Sequence, residues 1–170
     1  GTEGQFYDHK TGRFTSSMKI KSNDILLVSG LHALLPVALV ERLDVKIFLE
    51  TDDKLRAYWK TRRDIWNRGY EESKVNKQIL ERSEDSKLFI KPQQKFADIV
   101  FKVSAVNPDQ LFNNFSDQDT SNIPLKLEVI IRNGLYTERL SRALIAICGV
   151  HLEQEVLEDN MNIKLMIEGD

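Results

Sequence analysis

The chain has 170 residues, 24 basic and 26 acidic, with a net charge of -2 and 41% hydrophobic residues. That is enough apolar material for one domain with its own core, without disulfides. The near-neutral balance argues against DNA, RNA or an anionic membrane as partner; no apolar run reaches the roughly 20 residues that span a bilayer; and one cysteine, Cys148, excludes an intrachain disulfide.

Residues 1–23 are polar and carry turn residues, among them Gly4, Gly12 and Ser16–Ser17. The apolar run 24–28, DILLV, predicts a buried strand ending at Ser29–Gly30. Residues 33–43 are apolar and Leu-rich, and Pro36 suits a first helical turn. A second strand is predicted at 44–50. Thr51 is the predicted N-cap of a helix over 52–68, with Asp52 and Asp53 favoured by the helix dipole. Leu55, Tyr58, Trp59, Ile65 and Trp66 share one face of that helix, and Gly69 suits the position just past its end. A helix over 71–82 and a strand over 96–103 follow.

Residues 104–122, rich in Asn, Asp, Ser and Gln, read as a linker or surface loop. Leu125, Leu127, Val129 and Ile131 then alternate with mostly polar neighbours, as a half-buried strand requires. Tyr136, Leu140, Leu144 and Ile147 mark an amphipathic helix ending at Gly149, and strands are predicted at 151–157 and 162–168. The tail is thus β-α-β-β.

The segment 59–70, WKTRRDIWNRGY, is the feature that calls for a function. Lys60, Arg62, Arg63 and Arg68 fall within nine residues of a chain that is otherwise balanced in charge. Such a cluster needs an anion, and polyphosphate suits it. Asp64 reads as a structural partner of a neighbouring Arg or Lys, Trp59 and Trp66 as packing residues, Gln93 and Gln94 beside Pro92 as a turn, and Cys148 as a buried small hydrophobe. His151 reads as a surface or packing residue. Three scattered histidines and one cysteine make no metal site.

Four stretches resemble the phosphoribulokinase/uridine kinase family of P-loop kinases. ILLVSGLHAL (25–34) is similar to a family strand followed by Glu-Gly-Leu-His-Ala-Leu. DVKIFLETDDKLRAYWKTRRDIWNRGY (44–70) is similar to the family's strand and lid helix, with the Arg-Asp…Arg-Gly signature at Arg63-Asp64 and Arg68-Gly69. LFIKPQQKFADIVF (88–101) is similar to the phosphoribulokinase-like branch. FYDHKTGRF (6–14) is similar to the family's stretch before its first strand.

The resemblance implies an α/β fold: an incomplete, mainly parallel P-loop-kinase-type sheet with a helical lid (1–103), a linker (104–123) and a small α+β piece (124–170). It implies ATP-dependent phosphorylation of a sugar or nucleoside hydroxyl, with magnesium, in the cytoplasm. Arg63, Arg68, Arg62 and Lys60 would contact the nucleotide phosphates; His32, His9 and Tyr7 would line the acceptor site. Two departures matter. No G-x-x-x-x-G-K-[ST] motif exists in the chain, and Ser29 stands where the family has glutamate. The chain is therefore expected to be the lid-containing part of a larger kinase, inactive and without tight ATP or magnesium binding by itself; the alternative is a non-catalytic regulatory or assembly module. It begins at Gly1 rather than Met, which also suggests a fragment, and it shows no signal-peptide pattern. A truncated sheet leaves an edge, so the isolated chain is expected to self-associate, to swap segments or to cover that edge with its own tail.

Overall fold

The computed structural model describes residues 2–8, 10–21, 24–112, 123–132, 137–148, 151–157 and 162–169. The chain divides into two compact units, Gly1–Leu31 and His32–Asp170.

In the first unit, strands β1 (Thr2–Gly4) and β4 (Met18–Ile20) pair antiparallel, and β2 (Tyr7–Asp8) pairs with β3 (Arg13–Phe14). The hairpin between β2 and β3 closes on Asp8. Its carboxylate accepts from Lys10 N and Thr11 Oγ1, both at 2.9 Å, and its carbonyl accepts from Gly12 N at 2.8 Å. Gly12 has φ +67°, a conformation that side chains with a Cβ disfavour. Strands this short have no periodicity for a sequence reading to detect.

The predicted buried strand at 24–28 does not form. These residues are irregular, and Ile25 and Leu27 are 86% and 87% exposed. An apolar run becomes a strand only when a neighbour supplies its ladder, and no described strand pairs with it.

The second unit is built on one sheet of five strands in the order β5-β6-β7-β9-β8. These are β5 (Ile47–Thr51), β6 (Ile99–Ala105), β7 (Leu125–Ile131), β8 (His151–Val156) and β9 (Ile163–Gly169). The parallel part is confined to β5–β6; the other pairings are antiparallel, so the sheet is mixed rather than mainly parallel. Strands from both sides of residues 104–123 therefore share one sheet, with Phe101 opposite Val129 and Val129 opposite Leu165.

Helices fill the connections: α1 (Val37–Val40), α2 (Asp53–Arg62), α3 (Glu72–Asp85) and α4 (Thr137–Cys148). Between α3 and β6 the chain runs through a π-helical turn, Ser86–Ile90, and a 3₁₀ helix, Lys91–Phe96. The latter takes up Phe96, so β6 starts three residues later than the sequence suggests. Gln93 fixes this segment. It is buried, accepts from Leu34 N at 3.0 Å and donates to Phe89 O at 2.7 Å. It is a buried structural anchor within that helical turn.

On one face of the sheet Phe48 and Val100 pack with Leu34 and Ala97. The opposite face carries Val129, Ile131, Leu165 and Ile167, flanked by Ile99 and Phe101. Farther along the sheet, Leu55 and Tyr58 of α2 pack with Ala105 and Leu111.

The two edges of the sheet differ in chemistry. β8 exposes Glu153, Gln154 and Glu155, charged or polar side chains that discourage strand addition. β5 has β6 as its one neighbour among the described strands, and its Leu49 is 77% exposed. The tail strands extend the sheet beyond β6, on the side away from β5, so among the described residues no tail strand pairs with that edge. The isolated chain is expected to self-associate in sedimentation, and Leu49→Lys to shift it toward monomer. A wild-type chain that stays monomeric across the micromolar range would contradict this.

Candidate functional site

The cation cluster sits where α2 ends. β5 runs almost directly into α2, and Thr51 is used as the last strand residue. Asp52, not Thr51, is therefore the N-cap: its carboxylate accepts from Lys54 N at 2.9 Å and Leu55 N at 3.2 Å. A second tie holds the start of the helix, where Asp53 pairs with Arg56 at 2.7 Å and with Lys91 at 3.0 Å.

After Arg62 the helix widens into a π-helical turn, Arg63–Asn67. Gly69, at φ +67°, closes it as expected. Gly69 N donates to Ile65 O and Tyr70 N to Asp64 O, both at 2.9 Å. Each bond spans one residue more than in the usual glycine-closed helix end, a consequence of the wide turn.

The buried side of this helix is Leu55, Tyr58, Thr61 and Asp64. Trp59, expected to pack, is exposed, because the buried stripe advances by three residues and bypasses it. Trp66 is half-buried and carries Arg62 over its ring, with the guanidinium carbon 5.5 Å from the ring centroid. Arg62 also donates to Tyr58 Oη at 3.5 Å.

Asp64 is the centre of the site. Its side chain is 3% exposed, and Arg63 Nε reaches Oδ1 at 2.9 Å. Arg68 Nη1 reaches the same oxygen at 3.3 Å, and Lys60 Nζ lies 3.5 Å from Oδ2. Lys60 Nζ also donates to Gln78 Oε1 of α3 at 3.2 Å. The hydrogen bond from Arg63 holds the Asp64 carboxyl below its ordinary value of 3.8; burial opposes the shift, and the charges of Arg63, Lys60 and Arg68 add to it. The same bond raises Arg63.

Of the sequence-predicted residues, Lys60, Arg63 and Arg68 are thus brought together, whereas Arg62 turns to Tyr58 and Trp66. His32 is exposed, in the turn before Leu34, with its carbonyl accepting from Leu35 N at 3.1 Å. Tyr7 lies in β2 of the first unit, its ring 5.4 Å from that of Phe14. His9 lies outside the described residues. A buried carboxylate was not expected on the apolar stripe. The signal for it was present, since cations stand one residue before it and four residues to either side.

A family model described as the phosphoribulokinase/uridine kinase family matches residues 2–109. The chain belongs to that family. It is 35% identical over 97 residues to the chloroplastic phosphoribulokinase of Chlamydomonas reinhardtii, covering 57% of this chain and 26% of that protein. It is 32% identical over 104 residues to a uridine kinase of Chloroflexus aurantiacus, covering 60% and 50%. Among solved structures, a phosphoribulokinase from Rhodobacter spheroides superposes with a TM-score of 0.65 at 20% identity, over 96% of this chain and 59% of that one; this likeness speaks for the fold. The chain spans about a quarter to a third of the phosphoribulokinases it matches. Among the described residues no helix is long and apolar enough to cross a membrane.

The lowered Asp64 value sets an acid dependence. A group whose value is depressed by folding contributes stability that is full above its unfolded value and is lost as pH falls through the folded one. Asp64→Asn is expected to cost roughly 1.5–3 kcal/mol at pH 7, the range for charged hydrogen bonds. That gap should narrow once the pH drops below 3.8, the ordinary value. Urea titrations of both proteins between pH 2 and 7 check this; a gap independent of pH would contradict it.

Proposed function

We propose that this chain is the lid-bearing part of an ATP-dependent kinase that phosphorylates a hydroxyl of a sugar or nucleoside, and that it does not turn over by itself. The observation that carries this reading is the convergence of Arg63, Arg68 and Lys60 at one helix end while both guanidinium groups stay half exposed. In phosphoryl transfer the protein mainly positions groups and neutralises charge, so paired arginines have a direct role on the transferring phosphates. Membership of the family supports the same reaction class.

Arg63 and Arg68 are assigned to the nucleotide phosphates, Lys60 to support of the same anion. Arg62, engaged with Tyr58 and Trp66, is assigned a secondary part. His32 is assigned to the acceptor. Among the described residues no group of three His, Cys, Asp or Glu side chains that could hold a metal ion occurs. ATP would bring magnesium on its phosphates.

Ser29 favours a second reading, a non-catalytic regulatory or assembly module. A glutamate there would add a charge for metal or acceptor; the serine hydroxyl adds none.

Transfer of radiolabelled phosphate from ATP to uridine and to ribulose 5-phosphate separates the two. The 170-residue chain is expected to be inactive, and the full gene product active. Arg63→Ala and Arg68→Ala are each expected to lower the rate by about 10²–10³, as for loss of a transition-state charge contact. A folded full product that neither transfers phosphate nor binds ATP would favour the module reading.

A further inference from the structure

Asp64 takes one nitrogen from each arginine. Arg63 gives Nε and Arg68 gives Nη1, both to Oδ1. A guanidinium carries five N–H donors, so most of each fork is left for another acceptor. The carboxylate is buried, while the Arg63 and Arg68 side chains are 50% and 51% exposed. Two flexible cations are thereby joined at one oxygen, with their remaining donors on the solvent side. Three cations around one carboxylate leave the group net positive.

We propose that Asp64 is a positioning residue for anion binding: it holds Arg63 and Arg68 side by side so that their outer donors form one surface for a diphosphate. This rests on the reading of the two arginines as phosphate contacts. The simpler alternative is that Asp64 is a counter-charge that merely keeps the cluster from repelling itself. The two differ in sign. Removing a counter-charge raises the local positive potential and tightens anion binding. Removing a positioning group frees two long side chains, which must then be ordered by the ligand, and weakens it.

The test is calorimetric titration of the 170-residue chain with inorganic pyrophosphate at millimolar concentration. Wild type, Asp64→Asn, Arg63→Ala, Arg68→Ala, the double arginine variant and the triple variant are compared. Asp64→Asn is expected to bind about tenfold more weakly, the cost of ordering two freed arginine side chains, although it gains net positive charge. In a background lacking both arginines it should have no further effect, which a general structural role would not reproduce. Equal or tighter binding by Asp64→Asn, with binding still lost in the arginine variants, overturns the positioning role and leaves the phosphate reading intact. Binding that is absent, or indifferent to both arginines, overturns both. Circular dichroism checks folding. Should Asp64→Asn not fold, Asp64→Glu keeps the charge and moves the carboxylate by one methylene; weaker binding supports the role and unchanged binding overturns it.

Discussion

The end of α2 depends on one buried carboxylate. Asp64 lies on the stripe that Leu55, Tyr58 and Thr61 bury, a position where an unpaired charge would be costly. Lys60, Arg63 and Arg68 compensate it, and they can do so because the π-helical turn and the left-handed Gly69 close the helix around it. The same arrangement explains why four cations can stand within nine residues of a chain with net charge -2. Three of them share a buried anion, and the fourth lies over Trp66.

The site is set on the sheet by short connections. β5 passes into α2 through Asp52, whose backbone N donates to Val103 O of β6 at 2.8 Å. The helix start is therefore tied both to the neighbouring strand and, through Asp53 and Lys91, to the 3₁₀ helix that precedes β6. Lys60 reaches across to Gln78 of α3. A helix end held by such ties needs no large core of its own, which suits an edge strand, β5, that pairs with β6 alone among the described strands.

Much of this was legible in the sequence, and what was not has physical causes. The cation cluster and Gly69 stand out locally, as do the alternating strands β7 and β9. The buried face of α2 did not, because hydrophobic periodicity counts Thr61 and Asp64 as outward-facing. It placed Trp59 inside instead. The place of β9 beside β7 rests on pairing between distant segments, which alternation alone cannot rank. The apolar run 24–28 failed for the same reason: its composition is that of a strand, but a ladder needs a neighbour. His32 was singled out by motif, and it stands in the exposed turn before Leu34.

The central claim is that Arg63 and Arg68, joined at Asp64, meet the phosphates of a nucleotide. Arginine side-chain NMR reads this most directly, by following the Nε–H resonances of the chain as ATP is added. The account predicts that Arg63 and Arg68 shift together along one titration curve while Arg62, over Trp66, stays in place. Shifts confined to Arg62, or none at either Arg63 or Arg68 at saturating ATP, would contradict it.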